Sequence, residues 1–352
     1  MWRILTSFIL FTWALNANAA VILQYHHVSD TTPASTSISV ESFRIHMNYL
    51  TNNNYNVIKL SDILGQIKHG NKLPPKTVAI TFDDGYLNVL TNADPILKQH
   101  SFPYTLFISA NEISKQHAGM LSWQQIEGLA QSGVDIANHS SDHLHLNRKF
   151  SDESIKQWQT RITQDLANTE QQILEHTQQS HKMLAYPYGE YNTQLQQLVT
   201  KLGYIGIGQH SGALWEKSDF SAIPRFPASG RFSNIETLAI KLQSLAMPVT
   251  QLVNANSQLD QHATTSVKKR PVLTVTLDPA DVDTRQLYCY ILGQRVEPKW
   301  LDKTRFSISS PTDLPAGRSR YNCTAPSLSQ SGYYWFSQPW INRNADGTWY
   351  QQ

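Results

Sequence analysis

Charge is scarce in this sequence. Acidic and basic residues make up 16% of its 352 positions and leave a net charge of +2, so nothing in the balance points to a nucleic-acid partner. Thirteen histidines would add positive charge only in mild acid. Cysteine occurs only as Cys289 and Cys323, both in the C-terminal part. In an oxidising compartment such a pair is read as a disulfide; the alternative is two free buried thiols. No Gly-x-Ser-x-Gly run occurs, which excludes the serine nucleophile elbow. No apolar stretch is long enough for a usual membrane span. No internal repeat or low-complexity tract stands out.

What is present begins with a targeting segment. Arg3 precedes a short apolar stretch, Ile4 to Leu15, and Ala17-Asn18-Ala19 fits an A-x-A cleavage site. Residues 1–19 therefore read as a signal peptide. No cysteine near that site can accept a lipid. The mature chain is expected to be exported, periplasmic or secreted, without a membrane span. The length suits about two domains.

From residue 20 to about 250 strands alternate with helices. Expected strands are Val21 to Tyr25, Thr77 to Phe82, Tyr104 to Ile108, Val134 to Ala137 and Lys182 to Tyr186. Ser122, with Gln125 three residues on, makes a capping box. Gly133 suits the C′ position of that helix. Ile155, Trp158, Ile162, Leu166 and Ile173 mark the buried face of a long helix, and Asn192 can cap another. Such alternation implies a mainly parallel sheet with helices outside it. Residues 251–270 are polar and turn-prone and read as a linker. From Pro271 onward the pattern is β: Val272 to Leu277 alternates in the strand manner, with further strands at Leu287 to Leu292 and Arg305 to Ser309. Tyr321 stands two residues before Cys323, with Cys289 and Trp300 upstream. That arrangement is similar to an Ig-like sandwich and its tyrosine corner, although the cysteines are closer in sequence than in antibody domains. The aromatics Tyr333, Tyr334, Trp335, Phe336 and Trp340 are expected in its core, and Trp123 in helix packing.

Chemistry concentrates in three motifs, each just past a strand. Thr81-Phe82-Asp83-Asp84-Gly85-Tyr86 offers two adjacent carboxylates. Neighbouring side chains on an extended backbone point in different directions, so Asp84 can bind a metal while Asp83 stays free to take a proton. His139-Ser140-Ser141-Asp142-His143 places two imidazoles at i and i+4, which share a face on a helical turn. Asp84, His139 and His143 together supply three ligands, the number that leaves a catalytic zinc one open position. Nickel or cobalt suit the same donors. His145, two residues beyond His143, should point elsewhere. The third motif is Ala185-Tyr186-Pro187-Tyr188-Gly189. In α/β barrels the C-terminal ends of the strands carry the active site.

In order and spacing these motifs resemble the polysaccharide deacetylases, the NodB-like carbohydrate esterases, over roughly residues 21–250. The resemblance implies an α/β fold, a distorted (β/α) barrel with fewer than eight regular units, followed here by the small all-β Ig-like domain at 271–352. Two departures are visible. Ala185 stands where many members carry arginine, and no acid histidine motif lies near the end of the domain. Instead Leu23-Gln24-Tyr25-His26-His27-Val28 opens the chain. That layout resembles the permuted branch typified by poly-β-1,6-N-acetylglucosamine deacetylases, in which the Tyr-His motif comes first. The resemblance implies His26, rather than His27, as general acid and Asp83 as general base. It suggests the Tyr188 backbone N–H as an oxyanion donor, and Arg225, in Ile223-Pro224-Arg225-Phe226-Pro227, as the arginine missing at Ala185.

The implied activity is metal-dependent removal of N-acetyl groups from an extracytoplasmic N-acetylglucosamine polymer, with zinc as the metal and a β-1,6-linked exopolysaccharide favoured by the permuted layout. Chitin oligomers, peptidoglycan or an O-acetylated glycan are alternatives within the same chemistry. A non-catalytic glycan-binding protein is the alternative from another class. The acetylated polysaccharide is the expected partner, and the C-terminal domain is free to contact glycan or protein. A fused hydrolase-like barrel, which some exopolysaccharide deacetylases carry, is not expected within residues 271–352, which are too few for one.

Overall fold

The computed structural model describes residues 19–259 and 269–350. The expected signal peptide, apart from Ala19, lies outside the described residues. Among them no helix is long and apolar enough to cross a membrane.

The main sheet is parallel throughout. From edge to edge its strands are Phe226–Pro227, Ala20–Tyr25, Thr77–Phe82, Thr105–Ile108, Asp135–Asn138, Met183–Ala185 and Ile205–Ile207, and the short Asn56–Val57 also pairs with Thr77–Phe82. Parallel neighbours need long crossovers, and helices such as Val40–Asn52, Trp123–Gln131, Ile155–Thr177 and Thr193–Lys201 supply them. Strands buried on both faces read as continuous apolar runs; Ala20–Tyr25 and Thr77–Phe82 are buried at every position. The sheet curls into a half-barrel. Ile223, just ahead of one edge strand, bridges in parallel to Ile207 in the opposite edge strand.

Local signals behave as their chemistry dictates. Ser122 and Gln125 form a reciprocal capping box, and Asn192 caps Thr193–Lys201 through the Leu195 N–H. Helix Ile155–Thr177 buries Trp158, Ile162, Leu166 and Ile173. Ile155, expected on the same face, is 41% exposed because it occupies the first turn beyond the core.

Two smaller sheets follow. One has the order Ser244–Ala246, Tyr333–Asn342, Gly317–Pro326, Tyr288–Ile291, Gln294–Val296; the other runs Val249–Val253, Leu273–Leu277, Arg305–Ile308, Lys299–Trp300. Residues 251–253, expected in a linker, are therefore strand. Ser244–Ala246, expected with the first domain, pairs with Tyr333–Asn342 instead. Both pairings join segments far apart in sequence, which no local pattern announces. The rest of the expected linker includes residues 260–268, outside the described ones.

The two sheets share one apolar core that includes Leu273, Val275 and Phe306 from one and Ile291, Tyr321 and Trp340 from the other. Cys289 and Cys323 form a disulfide. They stand directly opposite on adjacent strands of one sheet, whereas the Ig hallmark joins two sheets. The aromatic segment divides: Tyr334 and Trp340 are buried, but Tyr333 is 48% exposed. Trp335 packs edge-on against Phe226 of the main sheet, with ring centroids 5.2 Å apart. Trp123 stacks on His176 at 4.2 Å, as helix packing.

Candidate active site and metal centre

The first motif leaves strand Thr77–Phe82 through a backbone that few sequences tolerate. Asp84 has φ +78° and Gly85 φ +88°. A Cβ on Gly85 would come within 2.9 Å of Ile113 Cδ1, so this turn needs glycine for both conformation and space. The Asp83 N–H still donates to Tyr25 O at 3.1 Å. Asp83 thus remains tied to the sheet while Asp84 turns outward.

The His139–His143 spacing works differently from the expectation of a helical turn. These residues form an irregular loop after strand Asp135–Asn138, with Ser140 at φ +67° and His143 at φ +51°. Left-handed residues bend the chain back so that both rings meet. Side chains fix the loop: Ser140 N–H donates to Asn138 Oδ1, Ser141 N–H to Asp165 Oδ1, and Ser141 Oγ lies 2.9 Å from Thr169 Oγ1. The partners at Asp165 and Thr169 sit on helix Ile155–Thr177.

Ligand atoms of Asp84, His139 and His143 all lie within 4.8 Å of one another. His139 Nδ1 is 2.7 Å from Ala185 O. A carbonyl only accepts, so Nδ1 carries the hydrogen and Nε2 presents a lone pair. That lone pair faces Asp84 Oδ1 at 3.2 Å, and His143 Nε2 is 3.3 Å from the same oxygen. Asp84 Oδ1 and His139 Nε2 are buried without a hydrogen-bond partner. Unpartnered acceptors at this distance repel each other and call for a cation between them. The donor set fits a divalent metal, and an imidazole fixed by a carbonyl on its other nitrogen is the usual form of such a ligand. His143 and Asp84 remain 25% and 16% exposed, so the centre opens to solvent on one side.

Asp83 is fully buried beside this centre. Arg225 Nη1 donates to its Oδ1 at 2.7 Å and Nη2 to its Oδ2 at 2.8 Å, while Gln24 Nε2 donates to Oδ2 at 2.7 Å. Burial alone would raise the carboxyl pKa; the Arg225 guanidinium outweighs it and holds Asp83 at about 2. Arg225 is anchored by Nε to Gly208 O and by Nη1 to Thr81 Oγ1. His26 Nε2 lies 3.9 Å from Asp83 Oδ2 and keeps 20% of its side chain exposed. His27 turns away, stacks on Tyr86 at 3.6 Å and meets Asn88.

The Tyr188 ring stands edge-on to His143 at 4.5 Å and stacks on His145 at 4.0 Å. His145 points away from the metal donors and its Nδ1 meets Glu190 Oε2 at 2.8 Å. All seven site residues singled out in the sequence therefore cluster around one centre. Sequence reasoning missed Gln24 and Glu190. The signal for Gln24 was a lone amide in the apolar run Ala20–Tyr25, since a buried polar group requires a partner.

A curled parallel sheet with a two-histidine, one-aspartate centre at the ends of its strands defines a metal-dependent hydrolase. The comparisons narrow the class. Residues 70–207 match the family model described as polysaccharide deacetylase, and with the Asp84, His139 and His143 donor set they mark a metal-dependent carbohydrate deacetylase. It is 29% identical over 209 residues to YxkH of Bacillus subtilis, covering 59% of this chain and 71% of that protein. Identity is 26% over 227 residues to a poly-β-1,6-N-acetyl-D-glucosamine N-deacetylase of Staphylococcus aureus, covering 59% and 78%. Among solved structures, a de-N-acetylase from Aggregatibacter actinomycetemcomitans shares the fold with a TM-score of 0.58 and 20% identity, covering 63% of this chain and 99% of that one.

Proposed function

We propose that the chain is an exported, zinc-dependent N-deacetylase of a β-1,6-linked N-acetylglucosamine exopolysaccharide. The observation that carries the chemistry is the opposed lone pairs of His139 Nε2 and Asp84 Oδ1, 3.2 Å apart and open to solvent through His143. The substrate class is supported by the early Tyr25-His26 motif and by likeness to the staphylococcal protein named for that polymer. Export rests on residues 1–19. Nickel and cobalt suit the same ligands.

A divalent ion held by Asp84, His139 and His143 supplies Lewis acidity and lowers the pKa of water toward neutrality. Asp83 is the general base and takes the proton of the attacking water. Its Oδ1 accepts one bond, from Arg225, and keeps a lone pair for that proton. Arg225 and Gln24 hold the carboxylate in register. The Tyr188 backbone N–H stabilises the oxyanion, a contribution of roughly 3–4 kcal/mol in other hydrolases. His26 gives a proton to the leaving amine, which cannot depart as an anion. Acetate and a free amino sugar are the products.

We further propose that residues 20–250 hold this chemistry and that the C-terminal sheets are an Ig-like module. The Ig likeness is supported by Tyr321, whose hydroxyl accepts from the Ser310 N–H and donates to Pro271 O, both at 2.9 Å.

Acetate release from β-1,6- and β-1,4-linked N-acetylglucosamine oligomers, side by side, tests the reading, with Asp83→Asn as control. Release from the β-1,6 series alone is expected. Release from the β-1,4 series would move the substrate to chitin or peptidoglycan. Bound metal without release from either would favour another acylated glycan as substrate or a glycan-binding protein.

A further inference from the structure

The turn that carries Tyr188 is gripped from outside the main sheet. Tyr188 has φ +60° and Gly189 φ +68°. For a tyrosine this conformation costs about 1–3 kcal/mol and persists only where the surroundings over-determine it. His145 and His143 supply two sides of the grip. The others come from the C-terminal module. Arg318 Nη1, on strand Gly317–Pro326, donates to Tyr188 O at 2.5 Å. Two residues on from Tyr188, Glu190 is fully buried and accepts bonds from His145 Nδ1, Arg148 Nη2 and the Tyr350 hydroxyl. The Arg148 guanidinium lies over the rings of Trp349 and Tyr350, 4.4 and 4.9 Å from their centroids. Burial would raise the Glu190 carboxyl pKa; bonds from His145 and Tyr350 outweigh it and keep the group ionised.

We propose that the C-terminal module is a working part of the deacetylase site, with Arg318 and Tyr350 as positioning residues for the Tyr188–Glu190 turn. Arg318 fixes the carbonyl of Tyr188, in the peptide directly after the one that carries the proposed oxyanion donor, the Tyr188 N–H. Tyr350 fixes Glu190, which in turn orients His145 beneath the Tyr188 ring. Arg318 and Tyr350 therefore set the geometry of a turn some 130 and 160 residues earlier in the chain. The effect on rate rests on the deacetylase reading; the grip itself does not.

The test uses the full chain with Arg318→Ala, Arg318→Lys and Tyr350→Phe. Amide hydrogen exchange over residues 186–191 reads the grip without substrate. Acetate release reads its consequence. In Arg318→Ala, exchange in that peptide should rise while the thermal midpoint and metal content stay unchanged. The kcat should fall roughly tenfold or more, because a misplacement of about 1 Å can cost 10²-fold, with KM nearly constant. Arg318→Lys should restore most of the rate, since one donor suffices for one carbonyl. Tyr350→Phe should show the same pattern more weakly, because Glu190 keeps two other donors. Unchanged exchange in Arg318→Ala would overturn the proposal. So would raised exchange with an unchanged kcat, or a loss of rate matched by a loss of metal or of stability. Inactivity of the unmodified chain on every oligomer would count against the deacetylase reading alone, and the exchange result would still decide the grip.

Discussion

Arg225 meets Asp83 through two parallel N–H donors, at 2.7 and 2.8 Å, across 142 residues of sequence. Both side chains are fully buried. A buried ion pair of this kind adds little net stability, but removing one partner strands the other charge. Arg225→Ala should therefore cost about 3–5 kcal/mol of stability and abolish measurable turnover. Arg225→Lys should fold better yet remain strongly impaired, because an ammonium cannot reproduce the two-pronged grip. Denaturant unfolding together with acetate release checks both. A fully active Arg225→Lys would refute the positioning role.

Some of this architecture is written locally and some is not. The strand Thr77–Phe82 and the capping box at Ser122 and Gln125 follow from short-range chemistry, and each can be read from a few neighbouring residues. The ligand types at Asp84, His139 and His143 are equally legible. How the two histidines meet is not. A four-residue spacing reads as a helical turn, but the loop is fixed by bonds to Asp165 and Thr169 on a helix some 25 residues later. Those bonds impose left-handed backbone that propensity alone disfavours. The same holds for strand Ser244–Ala246, whose partner Tyr333–Asn342 lies at the far end of the chain.

The two carboxylates of the first motif should separate cleanly on mutation. In protein loaded with zinc as the probe metal, Asp84→Asn and His139→Ala each remove a donor from the cluster and should lower the zinc retained, measured by elemental analysis after dialysis. Asp83→Asn should retain zinc, because Asp83 bonds Arg225 and Gln24 rather than joining the donor cluster. Its turnover should fall by 10²–10⁴, the usual contribution of a positioned base. Loss of zinc from Asp83→Asn would make it a ligand and remove the base assignment.

The neighbouring histidines should differ as sharply. His26 faces Asp83 across 3.9 Å with part of its ring open to the site, whereas His27 is stacked on Tyr86. His26→Ala should cut kcat by 10²–10⁴ and flatten the alkaline limb of the pH–rate profile, since the donated proton is then missing. His27→Ala should lower stability with a smaller effect on kcat. An unaffected His26→Ala beside an inactive His27→Ala would reverse the pair.

Acid stability should report on a histidine far from the chemistry in role. His46 is buried, with Nε2 2.8 Å from Ser233 O and Nδ1 2.9 Å from the Tyr25 hydroxyl. The Ser233 carbonyl can only accept, so Nε2 carries the hydrogen and Nδ1 accepts from Tyr25. This is a neutral imidazole with both nitrogens used. Burial pushes its pKa from the ordinary 6.5 down to about 4. Between those values the unfolded chain binds the proton and the folded one does not, so stability rises with pH across that window. Its contribution is complete above about pH 6.5 and is lost as pH falls through 4, on the order of 3 kcal/mol in all. Urea unfolding of metal-free protein at pH 7, 5.5 and 4 should trace that loss. His46→Gln offers an acceptor to Tyr25 and a donor to Ser233 without a titrating proton, and should flatten the slope. An equally steep fall in His46→Gln would place the acid sensitivity elsewhere.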